Sequence, residues 1–198
     1  MIHLVGAGGH ASVVADVAKR LGATEITLWS ESEPTPGRFP AIAVWKSLAE
    51  LPERTPVILA VGDLARRAEL RRRFPVVADA LVDPSAIVGS GVRIAGGTVV
   101  MPGCIINANA TIEEDAILNS GCIVEHDCVV GRNAHIAPAV SLGGAARVGA
   151  GTLVGTGAIV LPCVSIGSGA TIGAGAVVNE PVRDGATVVG VPAREVSR

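Results

Sequence analysis

Every sixth residue from position 82 to position 178 is aliphatic. The column reads Val82, Val88, Ile94, Val100, Ile106, Ile112, Leu118, Val124, Val130, Ile136, Leu142, Val148, Val154, Val160, Ile166, Ile172 and Val178. A second column four residues further on, from Ala86 through Cys104, Cys122 and Cys128 to Val182, holds only small or β-branched residues. Neither a helix of period 3.6 nor a plain strand alternation confines two residue classes to fixed columns of six. A solenoid of short parallel strands does, because an aliphatic residue fills the interior at each flat side and a small one fits each tight corner. Gly follows the aliphatic at positions 89, 131, 143, 149, 155, 167 and 173, where a corner demands either a positive φ or close backbone approach. The register leaves no room for an inserted loop between 82 and 182.

Composition agrees with a narrow, repetitive interior. Hydrophobic residues make up 49% of the chain but Phe, Trp and Tyr only 2%, so the core must be built from Val, Ile, Leu and Ala. No charged residue lies between Val148 and Asn179, a length that could span a membrane. Regularly spaced Gly and a mid-run Pro162 make it part of the periodic, soluble solenoid instead. Lys plus Arg number 16 and Asp plus Glu 18, giving 16 − 18 = −2, which offers no electrostatic reason to expect a nucleic-acid or anionic-membrane partner. His3, His10, Asp16 and Lys19 interrupt the first twenty residues, so no signal peptide is read there and a cytoplasmic protein is expected. Cys104, Cys122 and Cys128 fall in the small-residue column and read as small buried hydrophobes rather than redox or metal groups.

Residues 1–80 lack the six-residue register and read as a small α/β Rossmann-like βαβαβ domain, with residues 81–198 forming the β-helix and a short tail. Strands are expected at Ile2–Val5, Ile26–Trp29 and Val57–Val61, helices from about Ser12 to Leu21 and at Leu64–Arg73, and a loop at Glu31–Pro40. Such a parallel sheet opens a ligand crevice at its strand C-termini. Gly6-Ala7-Gly8-Gly9-His10-Ala11 follows the first strand and opens a helix. Glycines there let a phosphate approach the unpaired N–H groups of a helix N-terminus. Glu31, near the end of the second strand, suits a ribose. A plain structural turn and NAD use are the alternatives for this segment.

Two histidines lie in the repeat, His126 between Glu125 and Asp127, and His135 before Ile136; neither falls on an interior column. A histidine titrates near neutrality and is the usual general base for taking a proton from an amine or hydroxyl nucleophile. Either flanking carboxylate could orient the His126 ring. Gly144 is 126 + 18, one coil along if three hexapeptides close a turn, so its amide should lie ~5 Å away, where an N–H could serve as an oxyanion donor.

The whole chain resembles the hexapeptide-repeat acyltransferases, with their left-handed parallel β-helix of 18 residues per coil. Within them it is similar to the sialic acid O-acetyltransferases and UDP-4-amino-sugar N-acetyltransferases. The resemblance rests on the Gly-Ala-Gly-Gly-His start, Val61-Gly62-Asp63 followed by Arg66, Asn119, Glu125-His126-Asp127, His135-Ile136-Ala137-Pro138, and the closing Val189-Gly190-Val191-Pro192-Ala193-Arg194. It implies an acetyl-CoA-dependent homotrimer that acetylates an amino (or hydroxyl) group of a sugar, with UDP-4-amino-sugars first among substrates. By the same resemblance His126 is the base, with Glu125, Asp127 and Gly144 beside it. His135, Ala137, Gly155, Gly173 and Arg194 would bind acetyl-CoA, and Gly6, Gly8, Gly9, His10, Glu31, Gly62, Asp63, Arg66 and Asn119 the nucleotide-sugar. Where the family's second strand usually ends in Asp, this chain has Trp29-Ser30-Glu31.

His126 and His135 are nine residues apart, half a coil, so a site using both must combine neighbouring subunits. No metal is expected: a zinc hydratase of this fold, like the γ-class carbonic anhydrases, needs three histidine ligands and the repeat holds two. A non-catalytic, sugar-binding trimeric scaffold is the remaining alternative.

Overall fold

The computed structural model describes residues 1–196; residues 197 and 198 of the expected second domain lie outside the described residues. The chain begins with β1 (Ile2–Val5), α1 (Gly9–Arg20), β2 (Ile26–Ser30), β3 (Ala43–Ser47), β4 (Ile58–Leu59) and α2 (Leu64–Arg73). The four strands form one parallel sheet in the order β3-β2-β1-β4. Three details differ from the sequence reading. β3 was not anticipated, because as an edge strand it is only half-covered and carries no continuous apolar run. The third expected strand shrinks to Ile58–Leu59, with Val57 bridged separately to Val77. Helix α1 starts at Gly9, ahead of Ser12, whose hydroxyl donates to the Gly9 carbonyl.

From Leu81–Val82 to Val177–Val178 the chain forms seventeen two-residue strands, each parallel to the one 18 residues on. This is the left-handed parallel β-helix of the sequence reading. Its first face runs through Ile117–Leu118 and His135–Ile136, its second through Ile123–Val124 and Ser141–Leu142, and its third through Val129–Val130 and Arg147–Val148. The aliphatic column points inward and is buried from Val100 to Val178.

Within each hexapeptide the corner chemistry divides. The residue directly after the interior aliphatic lies under the next coil: a Cβ on Gly131 or Gly149 would stand 2.7 or 2.5 Å from the backbone nitrogen of Ala150 or Ser168. Close approach therefore explains those glycines. The positive φ falls two residues later, at Asn109, Asp115, Asp127, Asn133, Ala139, Ala145 and Cys163 among the non-glycine residues, with φ between 55° and 64°. Asn and Asp suit that conformation because their short polar side chains tolerate the left-handed region. In the small column, Thr98, Cys104, Cys128 and Thr152 each donate to the carbonyl fifteen residues on, those of Glu113, Asn119, Gly143 and Gly167. Cysteine is thus used here as a small residue with a weak donor.

The two parts share one contiguous apolar cluster, running from Leu4, Val14 and Leu28 into Val100 and Leu118. Polar ties add direction. Arg67, 1% exposed, donates to the carbonyls of Val61, Gly62, Asp115 and Asn133. Arg71 grips the buried Asp115 carboxylate through two nitrogens at 2.7 and 2.8 Å. The Asn133 amide donates to Leu64 O, and Arg20 pairs with the buried Asp83 at 3.0 Å.

Candidate active site

His126 stands at the corner following the second face. Its Nδ1 lies 2.8 Å from Asp127 Oδ2, and the two side chains are 61% and 55% exposed. Asp127, held in the left-handed conformation by the corner, is therefore the carboxylate that meets the ring. The hydrogen bond from His126 holds the Asp127 carboxyl below its ordinary range. Glu125 turns elsewhere and accepts from Asn107 Nδ2 at 2.9 Å, while Asn109 Nδ2 reaches Asp127 at 3.4 Å. Sequence reading missed both asparagines, although their 18-residue spacing from Glu125 and Asp127 could have shown them.

Gly144 lies directly against this ring, since a Cβ built there would stand 2.6 Å from His126 Nε2. The coil-to-coil ladder uses the N–H of Gly143, bonded to Val160 O, and that of Ala145, bonded to His126 O, but passes over Gly144. The same position in other hexapeptides needs a side-chain oxygen, as at Ser120, Arg132 and Ser168. A donor left out of the ladder beside an exposed imidazole has the layout of an oxyanion site.

Ala137, Gly155 and Gly173 stack 18 residues apart on the corner between the first and second faces, so the second face separates them from His126 and Gly144. Gly155 and Gly173 have a packing reason for lacking a side chain, because a Cβ would come within 2.7 Å of Ala174 N or Val189 Cγ1. Arg194 is exposed near the described C-terminus and donates to Ala193 O. The structure does not bring His135 to His126. Its half-buried ring lies in the seam between the two parts, 3.2 Å from Asn119 Nδ2 and 6.3 Å, centroid to centroid, from His10. Burial, and then the neighbouring Arg67, push the His135 pKa below its ordinary value. Burial lowers His10 to about 4, helped by His135 and Arg67, and its Nε2 has no partner.

A cleft of about 380 Å³ opens at the C-terminal ends of β1 and β2, lined by Gly6, Gly8, Trp29, Ser30, Glu31, Val61 and Arg66 among others. Gly6 has a structural reason to be glycine: φ is +130° and a Cβ would meet Ala60 O at 2.6 Å. Gly8 and Gly9 have none, because a Cβ on either would enter open space. They begin α1, whose first turn carries no acidic residue and whose N-terminus faces the cleft. Glu31 and Arg66 pair across the cleft mouth at 2.5 Å, and Glu69 holds the same guanidinium through both oxygens at 2.9 Å. Glu69 first, then Glu31, raise the Arg66 pKa. Asp63 caps α2 by accepting from Arg66 N at 2.7 Å. Gly62 lies in the turn just before it, against His10.

A β-helix of six-residue repeats carrying an exposed histidine–aspartate pair on a coil glycine is the framework of a hexapeptide-repeat acyltransferase. Residues 1–74 match the PglD N-terminal domain family, and 109–144 and 145–180 match the bacterial transferase hexapeptide family. Among solved structures the chain is similar to a histidine-to-asparagine variant of perosamine N-acetyltransferase from Caulobacter crescentus in complex with CoA and GDP-perosamine, at 31% identity and TM-score 0.87, covering 100% of this chain and 97% of that one. It is similar also to the acetyltransferase domain of PglB from Neisseria gonorrhoeae FA1090, at 31% identity and TM-score 0.89 over 98% of each chain. WeeI from Acinetobacter baumannii AYE matches at 25% identity and TM-score 0.82 over 99% of each. No match was found among curated proteins. The chain belongs to the hexapeptide-repeat sugar N-acetyltransferases that join a PglD-type N-terminal domain to a left-handed β-helix.

Proposed function

We propose that the protein transfers the acetyl group of acetyl-CoA to the amino group of a nucleoside-diphosphate-linked amino sugar, with His126 as general base. The observation that carries this reading is the His126 ring, oriented by Asp127 and seated on the unladdered amide of Gly144. The sugar nitrogen attacks the thioester carbonyl, forming the N–C bond. Nε2 of His126 takes the proton, and Asp127 stabilises the imidazolium through Nδ1. The Gly144 N–H donates to the developing oxyanion. Collapse breaks the C–S bond and returns the proton to the departing CoA sulfur.

The cleft supports a nucleotide at the other end of the substrate. The α1 N-terminus at Gly8 and Gly9 offers amides to a diphosphate, Arg66 adds charge, and Glu31 suits ribose hydroxyls. The Caulobacter neighbour is described with CoA and GDP-perosamine, whereas the family resemblance points to UDP-linked sugars, so both nucleotides enter the test.

A homotrimer follows from the second face. Its outward residues Ile87, Ile105, Ile123, Ile159 and Val177, with Leu161 beside them, make an apolar strip, of which Ile87, Ile159 and Leu161 are well exposed. One edge of that face carries Ala137, Gly155 and Gly173, and the other carries His126 and Gly144. Packing the strip against a second copy sets the small-residue corner of one copy beside His126 of the next, so acetyl-CoA lies in the groove between them.

Thiol release from acetyl-CoA, measured across UDP- and GDP-linked amino sugars and sialic acid, tests the reading. Release with an amino-sugar nucleotide, and a product of that sugar carrying one acetyl group by mass spectrometry, is expected. Release with sialic acid alone would replace it by O-acetylation. Sugar binding without release would favour the scaffold.

A further inference from the structure

His135 is the one repeat histidine that the proposed chemistry leaves unused, yet three elements of the N-terminal part converge on it. Asn119 Oδ1 accepts the Ser120 N–H at 2.9 Å, which fixes the amide so that its NH2 group faces His135 Nε2 at 3.2 Å. Nε2 must then offer a lone pair, and the ring proton resides on Nδ1. The Gly62 backbone hydrogen-bonds the same ring, and its carbonyl takes the Nδ1 proton. That carbonyl also accepts from Arg67, whose guanidinium holds Val61 O at 2.9 Å. Val61 and Arg66 line the nucleotide cleft, and Asp63 between them caps α2.

We infer that His135 is a positioning residue for the nucleotide half of the site: by accepting from Asn119 and donating to Gly62 it fixes the Val61–Gly62–Asp63 turn, and through it Arg66, to the β-helix. This deepens the proposed function, on which it rests for the ligand, and gives His135 a place other than the acetyl-CoA site that the family resemblance implies. The groups facing the ring are His10 from α1, Arg67 from α2 and Asn119 from the β-helix, with Asp63 and Asp115 near Arg67. None of the three offers the ring a carboxylate, so a proton added at Nε2 would point at the Asn119 NH2 group and break the tie.

The test measures calorimetric affinity for UDP, GDP and CoA with the full chain and two variants. His135→Ala leaves donors and acceptors unpaired and should weaken the bound nucleoside diphosphate by about tenfold, with CoA changed by less than about twofold. His135→Gln can accept from Asn119 and donate to Gly62 without titrating. It should restore nucleotide affinity to within about twofold of the parent and remove its weakening below neutral pH. A loss of CoA affinity in His135→Ala with nucleotide binding intact would overturn the inference, as would failure of the Gln variant to rescue while its thermal stability matches the parent. A parent chain that binds neither nucleotide would overturn the proposed function and this inference together; a parent that binds one, with unchanged variants, would overturn this inference alone.

Discussion

Adding one methyl group at Gly144 separates catalysis from folding more cleanly than removing His126 does. In Gly144→Ala the new Cβ would lie 2.6 Å from His126 Nε2 and 2.8 Å from Cε1. Ordinary contact needs roughly 3.5 Å, so the ring must recede by about 0.9 Å. Because His126 is 61% exposed and tied only through Nδ1 to Asp127, it can swing outward at little cost, and folding stability should change by about 0.5 kcal/mol or less. A displacement near 1 Å at the base should lower kcat by about 10²-fold with little change in either KM. Gly149→Ala is the control. Its Cβ would meet the backbone nitrogen of Ser168 at 2.5 Å, in a coil already bonded from Gly149 N to Ile166 O. Backbone cannot swing aside, so that variant should lose about 1–3 kcal/mol of stability. Steady-state thiol release and thermal unfolding of both proteins decide the matter. Parental kcat in Gly144→Ala, or destabilisation as large as that of Gly149→Ala, would refute this placement of the reacting ring.

Three further outcomes are expected. Gly8→Val puts a side chain into open space in front of the α1 amides, so calorimetry should find nucleotide affinity reduced about tenfold or more, with CoA affinity and melting temperature unchanged; unchanged nucleotide affinity would make the turn purely structural. Ile159→Asp places a charge on the apolar second face, so light scattering should find monomers, inactive if the groove is shared; an active monomer would place the whole site in one chain. His10 has a folded pKa of about 4 against 6.5 unfolded, so the unfolded chain binds the extra proton: stability is complete above pH 6.5 and falls by about 3 kcal/mol as the pH drops toward 4, then levels. Denaturant titrations should show that slope flattened in His10→Asn, and an equal slope in both proteins would contradict it.

The β-helix was legible because its strands repeat one environment: each aliphatic of the six-residue column has an interior to fill, and chain order alone sets the coil. The choice between positive φ and close approach at the corners was not legible, since glycine satisfies both; only the stacked backbones assign Gly131 and Gly149 to approach and Asp127 and Ala145 to the left-handed turn. That assignment also decides which neighbour serves His126, because the left-handed turn swings Asp127 to the ring while Glu125 is taken by Asn107. β3 escaped notice as a half-covered edge strand. The seam was hidden for a different reason: Arg67, Asn133 and Asp115 meet across 48 to 66 residues of chain through backbone carbonyls as well as side chains, and no local pattern marks a residue whose partners are carbonyl groups.

The most direct test of the central claim is kcat/KM for thiol release by His126→Ala, with an amino-sugar nucleotide that the parent accepts. Loss of an aligned general base should lower it by about 10²–10⁴-fold, with the oligomer and melting temperature unchanged. Retention of more than about half the parental activity would contradict the claim, and would leave the Gly144 amide and substrate positioning to account for the reaction without a base.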